Sequence, residues 1–160
     1  MKVDKIDLSI LRELQHNSKI TNIELSKKVG LSPAPTLGRV QKLERTGLIK
    51  SYHAVIDKEV LGLGFTALIQ VSLTRQINNA IDSFIKQINS IDNITECYQL
   101  TGNFDYQLKV VVKDIPEFDR LITDKLSNIE EIRQMQTLVV LSTVKDSKIA
   151  PLDYSERMDV

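Results

Sequence analysis

The sequence predicts an α+β protein in two parts, a small helical N-terminal domain followed by a β-α-β-β-α-β domain. Three observations lead there. The first 50 residues carry apolar side chains at helical spacing, divided by paired start and stop signals. Residues 65–144 instead alternate β-branched runs with two helical patterns. Charge divides near the same boundary: residues 1–55 hold 10 Lys and Arg against 5 Asp and Glu, and residues 56–160 hold 11 against 16. The formal net charge of +0 is thus a cancellation of a basic part and an acidic part. A nucleic-acid-binding module tethered to a separate domain shows that pattern.

The first helix starts with Asp4 and Asp7 at cap-and-third-position spacing, where two carboxylates suit the positive helix end. Ile6, Ile10, Leu11 and Leu14 form its inward stripe. Thr21 and Glu24 have the spacing of a capping box and open the second helix, anchored by Ile23, Leu25 and Val29. Gly30 can take the left-handed conformation that stops a helix, and Leu31 plugs the turn. Ser32 is the next cap and Pro33 stands at the first helical position, where its missing amide costs nothing. Thr36, Val40 and Leu43 recur at helical spacing and face inward. The opposite surface carries Ala34, Pro35, Gly38, Gln41, Lys42 and Arg45, and Gly47 ends the helix. The segment Thr21–Arg45 reads as a helix-turn-helix, which places one helix in the major groove of DNA. Leu48–Ile56 is β-branched and aromatic and is expected as a strand, either a wing beside DNA or a linker strand pairing with a second subunit.

Two glycines, Gly62 and Gly64, mark the boundary. Phe65–Leu73 is the first expected strand of the second domain. Asn79 and Asp82 have capping spacing, and Ile81, Phe84, Ile85 and Ile88 give a helical stripe. Ile94–Leu100 and Phe104–Val112 flank the turn Thr101-Gly102-Asn103 and are expected as a hairpin. Asp114 and Glu117 start a helix running to about Leu126, and Leu138–Val144 is the last expected strand. This order is the split βαβ, or ferredoxin-like, arrangement. Its helices cover one sheet face. The other face is expected to be apolar and covered by a second copy of the chain. The expected domains are residues 1–55, a linker 56–64, a sheet domain 65–146 and a tail 147–160.

The bounds on function are firm. At 160 residues with 42% hydrophobic content the chain can bury a core. No apolar run approaches the ~20 residues of a membrane span, and the N-terminus lacks the apolar centre of a signal peptide. The lone Cys97 cannot form an intrachain disulfide and is expected as a small packing residue. These features favour the cytoplasm. His16 and His53 lack the Cys or carboxylate neighbours of a metal site, and His16 is expected as a cation at a helix C-terminus. Neither a P-loop nor a dinucleotide fingerprint is present. No catalytic residue, metal or cofactor is expected.

In layout the chain resembles the Lrp/AsnC, or feast/famine, family. Asp4–Leu11 resembles the family's opening helix, Gly30–Leu37 with Arg39, Val40, Leu43 and Glu44 its recognition region, and Gly47-Leu-Ile49 with Tyr52 the exit from it. Thr101–Tyr106 resembles its effector loop, and Thr137–Lys145 its last strand. The match spans roughly residues 3–146. Two positions depart: Lys19 stands where an arginine is common, and Gly38 where many members carry a charged or bulky residue. Glycine inside a helix costs roughly 1 kcal/mol against alanine and removes a contact.

The resemblance implies a winged-type helix-turn-helix transcription regulator that binds double-stranded DNA. It implies a homodimer formed through the sheet face, assembling to an octamer or another even-numbered ring. It also implies an amino-acid effector between dimers. On that reading Ser32, Ala34, Pro35, Leu37 and Gln41 approach base edges, while Arg39, Lys42 and Lys50 meet phosphates. A structural alternative for Arg39 is an ion pair with Glu44 or Glu13. Asp105 takes the effector's ammonium, amides near Gly102 and Asn103 take its carboxylate, and Gln99, Thr101 and Thr137 line the rest. A structural alternative for the Gly102–Asp105 turn is an ordinary hairpin turn in which Asp105 bonds its own backbone. Two other functions compete. One is an architectural DNA-binding protein that senses no metabolite. The other is a ferredoxin-like enzyme or enzyme-regulatory subunit with a helical extension.

Overall fold

The computed structural model describes residues 3–74 and 78–152. They fall into two compact units, one formed by the N-terminal 55 residues with the chain from Lys145 onward, the other by Ile56–Val144.

In the first unit α1 is Lys5–His16, α2 Asn22–Val29 and α3 Pro33–Arg45. Both expected capping boxes form, Asp4 with Asp7 and Thr21 with Glu24, so orphan amides at each helix start find a carboxylate or hydroxyl. Gly30 stops α2 at φ 70°, and the Leu31 amide then donates to the Ser26 carbonyl at 2.9 Å. Ser32 occupies the cap of α3 but makes no side-chain cap bond. Its carbonyl instead accepts from the Thr36 hydroxyl at 3.0 Å, which lets Thr36 be fully buried. Ile10, Leu25 and Leu43, one from each helix, form the centre of this core. The expected strand Leu48–Ile56 does not form. A strand needs a neighbour for its amides and carbonyls, and no described strand pairs with this segment. The tail returns to this unit. The Gln15 side chain accepts from the Ala150 amide at 2.6 Å and donates to the Ala150 carbonyl at 3.4 Å. Residues 153–160 of the expected tail lie outside the described residues.

In the second unit β1 is Phe65–Leu73, α4 Asn78–Asn89, β2 Ile94–Gln99, β3 Tyr106–Val112, α5 Ile115–Arg120 and β4 Ile132–Val139. All neighbours are antiparallel in the order β2-β3-β1-β4. Asp114 caps α5 through the Glu117 amide as expected. A wide turn at Leu121–Lys125 and a tight one at Leu126–Asn128 follow, burying Leu121 and Leu126. Asn79 is no cap, since α4 already begins at Asn78. Ile69, Val71, Phe84, Ile88, Leu108 and Val110 form the core between sheet and helices.

Two further expectations are corrected. The last strand lies at Ile132–Val139 and not at Leu138–Val144. It ends near the start of β1: Val139 faces Ala67, the Val140 amide still donates to Thr66, and the residues beyond find no ladder. The uncovered sheet face is mixed in character. One row across all four strands reads Tyr98, Gln107, Gln70, Gln136. The next pairs Glu96 and Lys109 at 3.0 Å beside Leu68 and Leu138.

Candidate functional site

The first site is the outward surface of α3. The Asn22 amide nitrogen donates to the Pro33 carbonyl at 2.9 Å, fixing the start of α3 on α2. Ser32, Ala34, Pro35, Leu37, Gly38 and Gln41 all lie exposed on one side of the helix. Nothing lies within 4 Å of where a Cβ on Gly38 would stand, so no part of this chain requires glycine there. Lys42 is half-buried and Lys50 exposed.

Arg39 is engaged differently from its sequence-based alternative. Its Nη1 lies 2.7 Å from Asp4 and 2.7 Å from Asp7, the two carboxylates that cap α1. Glu13 instead pairs with Lys28, and Glu44 accepts from the Tyr52 hydroxyl at 2.9 Å. Arg39 thereby clamps α3 to α1. Its guanidinium is held more strongly protonated by the hydrogen bonds to Asp4 and Asp7. Partial burial works to raise the Asp4 carboxyl. The bond from the Asp7 amide and the Arg39 guanidinium together overcome it and hold Asp4 below the usual range. Burial and the bond to Glu44 push the Tyr52 phenol up to about 12.

The second site is the turn joining β2 to β3. Gln99 and Tyr106 pair at its base, and the Leu100 amide donates to the Asp105 carbonyl at 2.8 Å. Asp105 also bonds outside the turn. Its amide donates to the Val71 carbonyl at 2.9 Å, and its Oδ2 accepts from the Leu73 amide at 2.8 Å. The Ser72 hydroxyl donates to the Asn103 carbonyl at 3.2 Å. The turn is thus stapled to the end of β1. Gly102 sits at φ 125°, open only to glycine without strain. Among the described residues, the amides of Thr101, Gly102, Asn103 and Phe104 have no acceptor. Gln99, Thr101, Gly102, Asn103 and Asp105 are therefore neighbours. Thr137 is not, because it pairs with Ile69 on the opposite side of β1 from β3.

Beside this turn is a pocket of about 400 Å³ between α4 and β2. Ile81, Ile85, Ile88 and Asn89 line it from α4, Cys97 and Gln99 from β2, and Tyr106 from β3. Sequence reading placed only Gln99 in a site. It took Cys97 as packing, whereas Cys97 is exposed on the edge strand. Sequence reading also counted Ile85 in the inward stripe of α4, whereas it is exposed and lines this pocket.

A family model described as a winged helix-turn-helix DNA-binding domain matches residues 3–50, and one described as the Lrp/AsnC ligand binding domain matches residues 66–150. The transcriptional regulator AzlB of Bacillus subtilis is 39% identical over 151 residues, covering 94% of this chain and 96% of that protein. The leucine-responsive regulatory protein of Haemophilus influenzae is 39% identical over 150 residues, covering 94% and 90%. The crystal structure of a Neisseria meningitidis transcriptional regulator in complex with L-Met superposes with a TM-score of 0.90 at 34% identity, covering 94% of this chain and 97% of that one. These proteins are regulators and not enzymes. With a helix-turn-helix whose recognition face is exposed, followed in sequence by a ferredoxin-like ligand-binding domain, the chain belongs to the Lrp/AsnC family of DNA-binding transcriptional regulators.

Proposed function

We propose that this regulator senses an amino acid at the β2–β3 turn and transmits its binding to DNA through α3. The observation that carries the sensing is the run of amides from Thr101 to Phe104 without acceptors among the described residues, beside the Asp105 carboxylate. A zwitterion needs that pairing, donors for its carboxylate and an acceptor for its ammonium. The Leu73 amide donates to Oδ2 of Asp105 and helps hold the carboxylate in place. Thr137 is left out of this site. The L-Met bound by the Neisseria relative supports the ligand class.

On the DNA side, Ser32, Ala34, Pro35, Leu37 and Gln41 approach base edges, and Lys42 and Lys50 neutralise phosphates. Arg39 acts by positioning α3 on α1. Two chains pair through the uncovered sheet face, with dimers assembling into an even-numbered ring. The protein works in the compartment that holds the DNA, the cytoplasm.

The test is calorimetry of the full chain against the twenty amino acids, paired with DNA-binding titrations. One or more amino acids are expected to bind and to change DNA affinity or assembly size. Asp105→Ala is expected to abolish both effects, and Asp105→Asn, which can still accept from Leu73, to lose binding while keeping the fold. An unchanged response in both variants sinks the assignment of Asp105. No binding by any amino acid leaves an effector-independent DNA-binding protein.

A further inference from the structure

The C-terminal chain is part of the DNA-binding unit, since its described residues from Lys145 onward group with the N-terminal helices. Its attachment there is specific. The Ser147 hydroxyl accepts from the Ile149 amide at 3.3 Å, a local turn that shapes the approach. Pro151 steers the preceding Ala150 to extended backbone, in which a residue's own amide and carbonyl point the same way. The Gln15 side chain matches that pair. Its oxygen accepts from the Ala150 amide at 2.6 Å, and its nitrogen donates to the Ala150 carbonyl at 3.4 Å. A carboxamide offers an acceptor and a donor side by side, which suits it to read one extended residue. Both bonds lie at the surface and one is long, so docking is weak enough to reverse. Beyond the anchor, Leu152 is half-buried.

Gln15 stands in the last turn of α1, on the side of Leu8, which is two turns back and 3% exposed. At the other end of α1, Asp4 and Asp7 hold Arg39 of α3. The C-terminal strap and the recognition helix are thus fastened to opposite ends of one helix. The strap arrives directly from β4. The Val140 amide is still bonded to Thr66, and by Ala150 the chain is bonded to α1. Between these points Leu141 and Val144 are 96% and 97% exposed. Two lengths of chain therefore connect the DNA-binding unit to the sheet unit. One is residues 50–64, after Ile49 has left the helical core, and the other, shorter one is residues 141–149.

We infer that Gln15 is a positioning residue: by docking Ala150 it closes a second tether that narrows the orientations open to the DNA-binding unit, and so sets which half-site spacings two paired chains accept. This rests on the pairing of chains proposed above. Once one helix-turn-helix is bound, the second binds as an intramolecular event whose effective concentration follows tether length. Residues 50–64 alone spread that concentration over many spacings, and the docked strap confines it to few.

DNA titrations of the full chain test it, with duplexes carrying one or two copies of a half-site selected from random sequence by the parent protein. Paired copies are centred about 10 or 21 base pairs apart, on one face of the duplex, or about 15 apart, on opposite faces. The parent is expected to favour the first two. Gln15→Ala is expected to cut that preference by about threefold or more, with single half-site affinity unchanged, and to speed amide exchange across residues 145–152. Gln15→Glu keeps the acceptor for the Ala150 amide and loses the donor, so it should fall between. An unchanged spacing preference in Gln15→Ala overturns the inference, as does exchange across 145–152 that is no slower in the parent. So does an equal loss on single and paired half-sites, which makes Gln15 a part of the helical fold alone. A parent that light scattering shows to be monomeric overturns the pairing itself, and the inference with it.

Discussion

Arg39 carries the clearest prediction, because its two partners differ in burial. Nη1 is 2.7 Å from both carboxylates, but the Asp7 side chain is 2% exposed and the Asp4 side chain 50%. Arg39→Ala leaves Asp7 buried with one weak donor, the Asp4 amide at 3.3 Å. Stripping one partner from a fully buried pair costs about 3–5 kcal/mol. Arg39 is itself 30% exposed, so water reaches part of the site and about 2–3 kcal/mol is the better figure. The half-exposed Asp4 contributes at most ~1 kcal/mol. A loss of about 2–4 kcal/mol lowers the melting temperature of a domain this size by roughly 10–25 °C. Circular dichroism melts of the full chain, Arg39→Ala, Asp7→Asn and the double variant measure it. The cycle is expected to show a coupling above ~1.5 kcal/mol, well outside the ~0.5 kcal/mol of independent sites. Folding holds the Asp4 carboxyl below its ordinary 3.8. Its share of the stability is therefore present above that pH and fades as pH falls through the lower folded value. An Arg39→Ala variant within ~0.5 kcal/mol of the parent, with DNA binding lost, would refute the clamp and make Arg39 a phosphate ligand.

Three further outcomes are expected. Gly38→Ala removes the helix penalty in open space, so urea melts should show a gain of about 0.5–1 kcal/mol. DNA affinity should fall if glycine is there to let DNA approach, and tighter binding would contradict that. Tyr52 should ionise near pH 12, read as the phenolate absorbance lost in Tyr52→Phe. Because its folded value lies above the ordinary 10.0, Tyr52 stabilises the fold below pH 10 and loses that contribution as pH rises toward 12. Lys42→Ala and Lys50→Ala should each reduce the slope of log K against log salt by about 1, with no change in base preference. An unchanged slope would remove that lysine from the phosphate contacts.

What was legible in the sequence is what residues a few positions apart decide. The capping pairs Asp4–Asp7, Thr21–Glu24 and Asp114–Glu117 are local, as is the left-handed stop at Gly30, and each forms. Alternation and helical stripes gave the element order β-α-β-β-α-β, because apolar periodicity is also local. The rest depends on partners far along the chain. Arg39 finds Asp4 and Asp7, 35 and 32 positions away, where the sequence offered the nearer Glu44 or Glu13. Asp105 finds the Leu73 amide 32 positions away. The last strand ends at Val139, two residues short of the start of β1, and its β-branched extension cannot form a ladder alone. The aliphatic groove exists because strand order leaves β2 at an edge, beyond the core line of α4. Sequence determined the helices, the caps and the recognition surface through short-range sterics and hydrogen bonds. Only the packing of strands and helices decided which charges meet, where a strand stops and where a groove stays open.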